Sequence, residues 1–191
     1  MRLFPDEDHE WEPPSRGAMI GWGLFYAVAM FLYIPYFTTY FPWLDAAHLV
    51  THESGHLIFG AFGNETFMVI MGTGFELLVP LMLAATFARK GQTTGTAFCL
   101  WAFFNAFIGV STYMKDARDK AIPLVSPGMS SDEIEGHDFE YIFNWMGVIQ
   151  HDRQIGEVVK VLGWVGMFAV VGWLIYMSVY GKRGKARPVI V

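Results

Sequence analysis

Residues 67–87 read FMVIMGTGFELLVPLMLAATF, a run of twenty-one positions with one ionisable side chain, Glu76. A helix needs about 20 mostly apolar residues to cross roughly 30 Å of hydrocarbon. This run meets that requirement, and similar ones lie to either side at 18–38, 95–114 and 158–180. A fifth apolar stretch, 46–62, is shorter and carries Glu53 with His48, His52 and His56. The expected fold is therefore all-α, a polytopic membrane protein of about five transmembrane helices. Residues 1–191 would form a single membrane domain.

Composition agrees. Only 16 % of the 191 residues are charged, while 53 % are hydrophobic and 17 % aromatic. A soluble domain is roughly a quarter charged. The abundance of aromatic and branched residues excludes disorder. The single cysteine, Cys99, excludes a disulfide scaffold. A net charge of −5 supplies no basic surface for nucleic acid, so the lipid bilayer is the expected surrounding. The first twelve residues include Asp6, Glu7, Asp8, Glu10 and Glu12. They lack the basic region of a secretory signal, so the first span is expected to stay in the protein. Trp22, Trp43, Trp101, Trp164 and Trp173 fall near expected span ends, where indoles favour the interface.

Five alternating spans would put the Arg89–Lys90 turn and the basic tail (Lys182, Arg183, Lys185, Arg187) on one side, the cytoplasmic one. The acidic N-terminal segment and the long stretch 115–157 would lie on the other. Within that stretch Pro123, Pro127, Gly128, Ser130 and Ser131 signal a loop. An apolar piece at 139–149, too short to span, reads as an inserted or interfacial helix. The group Asp116, Arg118, Asp119 and Lys120 reads as a solvated cap on the preceding span. His151–Asp152 reads as a surface pair, and His9 has no evident role.

The chemistry is concentrated at His52-Glu53-Ser54-Gly55-His56. Helical residues i and i+4 share a face, so two imidazoles at this spacing can bind one cation. Glu53, about 100° around the axis, can reach a water on that cation without ligating it. This H-E-x-x-H arrangement is that of a zinc hydrolase. The chain's own residue frequencies would produce it by chance on the order of once in a hundred such chains. A carboxylate and two imidazoles at membrane depth cost several kcal/mol unless paired or metal-bound. His48 is about 12 Å along the axis from His56, too far to share the ion. It fits an access or supporting position instead.

A catalytic zinc needs a third protein ligand and an open position. His137 and Asp138, at the start of the inserted piece, are the favoured candidates. Glu76 is the other, as a ligand or supporting group, or else as a buried carboxylate that is protonated or paired with Lys115 or Arg118. Asn105, Ser111 and Thr112, in the fourth expected span, are expected to hydrogen-bond between helices. Asn105 is also a candidate to hold a substrate backbone.

With these motifs in place, the chain resembles the site-2-protease-like membrane zinc metallopeptidases, and more specifically a group of short bacterial members. Besides His52 to His56, the similarity rests on three features. They are Leu77-Leu78-Val79-Pro80-Leu81, a stretch from Asp116-Ala117-Arg118 to Ile122-Pro123-Leu124, and Gly136-His137-Asp138-Phe139. It covers roughly residues 46–152. The resemblance implies His52 and His56 as zinc ligands, Glu53 as general base, and His137 or Asp138 as the remaining ligand. It also implies a bacterial inner membrane and a membrane-protein substrate. Better-known members carry their Asp in an Asp-Gly motif. No Asp-Gly occurs here, and Asp138 is the nearest substitute. Two other readings stand beside it. One is an accessory subunit of a larger membrane complex that keeps a protease-like fold, its charged tails meeting partner subunits. The other is a pigment protein with His48 as axial ligand. A bis-His haem would need histidines on two facing helices, and the other expected spans have none.

Overall fold

The computed structural model describes residues 11–32, 42–122 and 136–180. Asp6, Glu7, Asp8, His9, Glu10, the prolines at 123 and 127, the Gly128–Ser131 loop signals and the basic tail lie outside them. Apart from one backbone bridge between Glu12 and Gln92, the described residues are helix and turn. The helices are α1 (Arg16–Leu32), α2 (Pro42–Gly60), α3 (Glu65–Arg89), α4 (Thr93–Lys115), α5 (Asp138–Trp145) and α6 (Asp152–Tyr180). A single 3₁₀ turn, Ile149–His151, leads into α6.

Local sequence explains the boundaries. The Asn64 side chain caps α3 by accepting the Phe67 N–H at 2.8 Å. Gly91, at φ +70°, makes the tight turn between α3 and α4. At the head of α5, His137 Nδ1 accepts the Glu140 N–H.

Three helices are long and apolar enough to cross a membrane: α3, α4 and the Ile149–Tyr180 stretch containing α6. Their outward faces carry apolar side chains, including Leu78 and Leu81 on α3 and Val158, Val165 and Phe168 on α6. The expected count of about five is not reached among the described residues. The described part of α1 is apolar but 17 residues long, and α2 does not qualify.

Helix directions follow from paired residues. α2 and α3 are antiparallel, with His56 beside Met68 and His52 beside Glu76. α1 lies along α4, with Trp22 against Phe98 (5.5 Å between ring centroids) and Tyr26 against Trp101 (5.4 Å). α2 also runs with α4, since His48 neighbours Asn105 and His52 lies beside Tyr113. Thus α1 and α2 point the same way, and the expected alternation of five spans does not hold. The side assignment changes with it. The Glu12 N–H donates to Gly91 O at 2.8 Å, and Thr93 Oγ1 donates to Glu12 O at 2.6 Å. Residues 11–12 therefore sit beside the α3–α4 turn, at the end opposite α5.

The main core joins α1, α4 and α6 through Tyr26, Ala29, Trp101, Ile108, Met167 and Leu174. Trp101, expected at an interface, is wholly buried here. It packs against α1, and an apolar partner outweighs the interfacial preference of its ring. α6 approaches α4 closely because it presents glycines. A Cβ on Gly163 would stand 2.9 Å from Phe104 O, and one on Gly156 2.8 Å from Ser111 O. A second cluster, Val110, Ala117, Phe139 and Phe143, seats α5 on the end of α4.

In the charged group that caps α4, Arg118, Asp119 and Lys120 are exposed as expected, while two aspartates at this end are buried. Asp152 is wholly buried and receives both Nε and a terminal nitrogen of Arg118, at 2.9 and 2.7 Å. It is not the surface residue expected. Asp116 is buried too, accepting the Ala121 and Ile122 N–H groups at 2.9 and 3.1 Å.

Candidate metal centre

α2 presents two faces. Leu49, Val50, Leu57 and Ile58 point outward, while His52, Gly55 and His56 face α3. The approach is extreme at Gly55, where a Cβ would lie 2.1 Å from Met71 O. Any side chain there would push the motif helix away from α3.

Three potential ligand atoms converge at this interface. His52 Nε2 is 2.9 Å from Asp138 Oδ2, His56 Nε2 is 3.1 Å from the same oxygen, and the two Nε2 atoms are 3.1 Å apart. Ligands about 2.0–2.1 Å from a tetrahedral zinc are about 3.3–3.4 Å from one another. The triangle is slightly tighter than that and leaves one direction open. The three side chains are 11, 21 and 13 % exposed for His52, His56 and Asp138, so the site is largely but not wholly enclosed by the described residues.

The outer nitrogens are occupied as metal-bound histidines require. His52 Nδ1 meets Glu76 Oε2 at 3.2 Å, and His56 Nδ1 meets Met68 O at 3.1 Å. Such partners fix the tautomer and aim Nε2 at the centre. Gly72 supplies the space. A Cβ there would lie 2.4 Å from His56 Nε2 and 2.9 Å from His52 Nε2. The donor set and this cradle both fit a zinc ion. Burial raises the Asp138 carboxyl pKa, but the two imidazoles outweigh it and hold it down to about 2. Asp138 thus stays a carboxylate anion between the two imidazoles.

The other sequence candidates take different places. His137, adjacent to Asp138, is buried and turned away, with Nε2 3.5 Å from Asp116 Oδ2. Burial pushes its pKa down, against the pull of Asp116. Glu76 is buried on His52 rather than in the ligand triangle. Glu53 is half-buried and close enough to the Tyr113 hydroxyl to act on it electrostatically. His48 is one turn away; its buried Nε2 and the Oδ1 of neighbouring Asn105 both lack a hydrogen-bond partner among the described residues. The Asn105 amide donates instead to Met167 Sδ, at 3.9 Å. Ser111 and Thr112 bond to Ile108 O within their own helix. The residue that sequence reasoning missed is Tyr113, which receives the Asp138 N–H at 3.2 Å. No motif marks a lone tyrosine at a span end.

No family model matches the chain, and no match to it emerges among curated proteins or solved structures.

Proposed function

We propose that the chain is a membrane-embedded zinc metallopeptidase of the site-2-protease-like kind, cutting peptide bonds of membrane proteins in a bacterial inner membrane. The observation that carries this reading is the ligand triangle of His52, His56 and Asp138, with Glu53 on the same turn as His52. His52 Nε2, His56 Nε2 and an Asp138 carboxylate oxygen would hold the ion, which would supply Lewis acidity and a water of lowered pKa. Glu53 takes the proton of the attacking water on its carboxylate and returns it to the leaving amine. Glu76 and Met68 O hold the two imidazoles in register. The apolar outer face of α2 keeps bulk water from that side of the motif.

Metal analysis of the intact protein in detergent, after zinc loading, tests this. About one zinc per chain is expected, and His52→Ala, His56→Ala and Asp138→Ala should each lose it. Glu53→Gln should keep the metal while cleavage of a membrane-protein substrate falls by about 10²–10⁴. A wild-type protein that stays metal-free overturns the reading, as does undiminished cleavage by Glu53→Gln.

A further inference from the structure

Tyr113 lies near the end of α4, and its ring is clamped from two sides. The His137 ring is 4.0 Å away at 32°, and Phe139 meets it edge-on at 5.5 Å. Both clamping residues are buried. On the α2 side the ring stands 6.1 Å from that of His52, at 73°. The hydroxyl oxygen accepts the backbone N–H of Asp138, the residue that completes the ligand triangle. Among the described residues no acceptor takes the hydroxyl proton. That bond holds the hydroxyl next to the ligand triangle, and the Glu53 carboxylate is near enough to act on it electrostatically.

A phenol with its oxygen fixed and its proton uncommitted is a preorganised hydrogen-bond donor. Being neutral, it brings no second cation into a desolvated site. We propose that Tyr113 is a catalytic residue that donates its O–H to the oxygen on which negative charge develops. This rests on the peptidase reading above. As the water oxygen bonds to the scissile carbonyl carbon, the C=O π pair moves onto the carbonyl oxygen, and the water proton passes to Glu53. Tyr113 hydrogen-bonds that oxygen without giving up its proton. When the C–N bond breaks, the electron pair returns to C=O and the amine nitrogen takes the proton from Glu53. Such a donor acts only if it is already aimed at the oxyanion, and the clamp by His137 and Phe139 provides that aim.

The test uses the full chain in detergent, loaded with Co²⁺, and acetohydroxamate as an anionic oxygen probe, both followed by visible absorption. Tyr113→Phe keeps the ring and its packing. Its cobalt affinity should stay within about threefold of wild type, because all three ligands remain. Its acetohydroxamate affinity should fall by about 10- to 100-fold, the loss expected for one hydrogen bond to a charged group. Unchanged acetohydroxamate affinity overturns the proposal. So does a parallel fall in cobalt affinity, which would reduce Tyr113 to a support for the Asp138 backbone. A wild-type chain that binds no cobalt, or binds it equally well as His52→Ala, fails at the earlier step. That result removes the peptidase reading and the role of Tyr113 with it.

Discussion

His52 uses both ring nitrogens, one toward Asp138 and His56 and the other on Glu76. That double use depends on a residue with no side chain. Gly72 stands where a methyl group would overlap both imidazoles. Gly72→Ala should therefore lower metal affinity by at least tenfold while the helices persist. Gly74→Ala, whose Cβ would meet only the mobile end of Met71 at 3.2 Å, should bind metal like wild type. Metal titration with circular dichroism on both variants checks this. At this scale the sequence was informative where spacing is local. The i, i+4 pair His52 and His56 needed only helical geometry. The choice between His137 and Asp138 was not legible, because neighbouring residues at a helix start point in different directions. Only the packing of Phe139 and Phe143 on α4 decides which of them faces α2.

α2 shows how an element can be legible in content and illegible in placement. Its ends, 46–62 by hydropathy and Pro42–Gly60 in the structure, nearly agree. Its direction departs from the alternation expected of successive apolar runs, because contacts with α4 put α1 and α2 in the same sense. Asp152 is a second case. A polar dipeptide, His151–Asp152, reads as surface until a partner 34 residues away, Arg118, is brought to it. Arg118→Ala would leave the Asp152 carboxylate buried with only the adjacent Arg153 N–H as a donor. Its thermal midpoint in detergent should drop clearly. Arg153→Ala removes a pair with Asp119 in which both side chains are more than half exposed, and should leave the midpoint unchanged. Equal effects of the two substitutions would show that burial of Asp152 does not set the strength of the pair.

Across the whole molecule, class was more legible than topology. Low charge and long apolar runs pointed to an all-helical chain suited to a bilayer, and three helices fulfil that in length and composition. The number and sense of the spans depend on contacts between distant residues, such as Glu12 on Gly91, that no local window contains. The ligand triangle is distant in the same way. It ties Asp138 to His56 and His52 across 82 and 86 residues of chain. A metal bound in that place would be a clasp, whatever its chemistry. By closing a long loop it would remove chain entropy that the metal-free protein keeps. Lys120, paired with Glu140 on α5 at 2.6 Å, would report whether the clasp is shut. Chelation should speed tryptic cleavage after Lys120, and zinc should slow it again. An unchanged cleavage rate would mean that α5 docks by its apolar face alone.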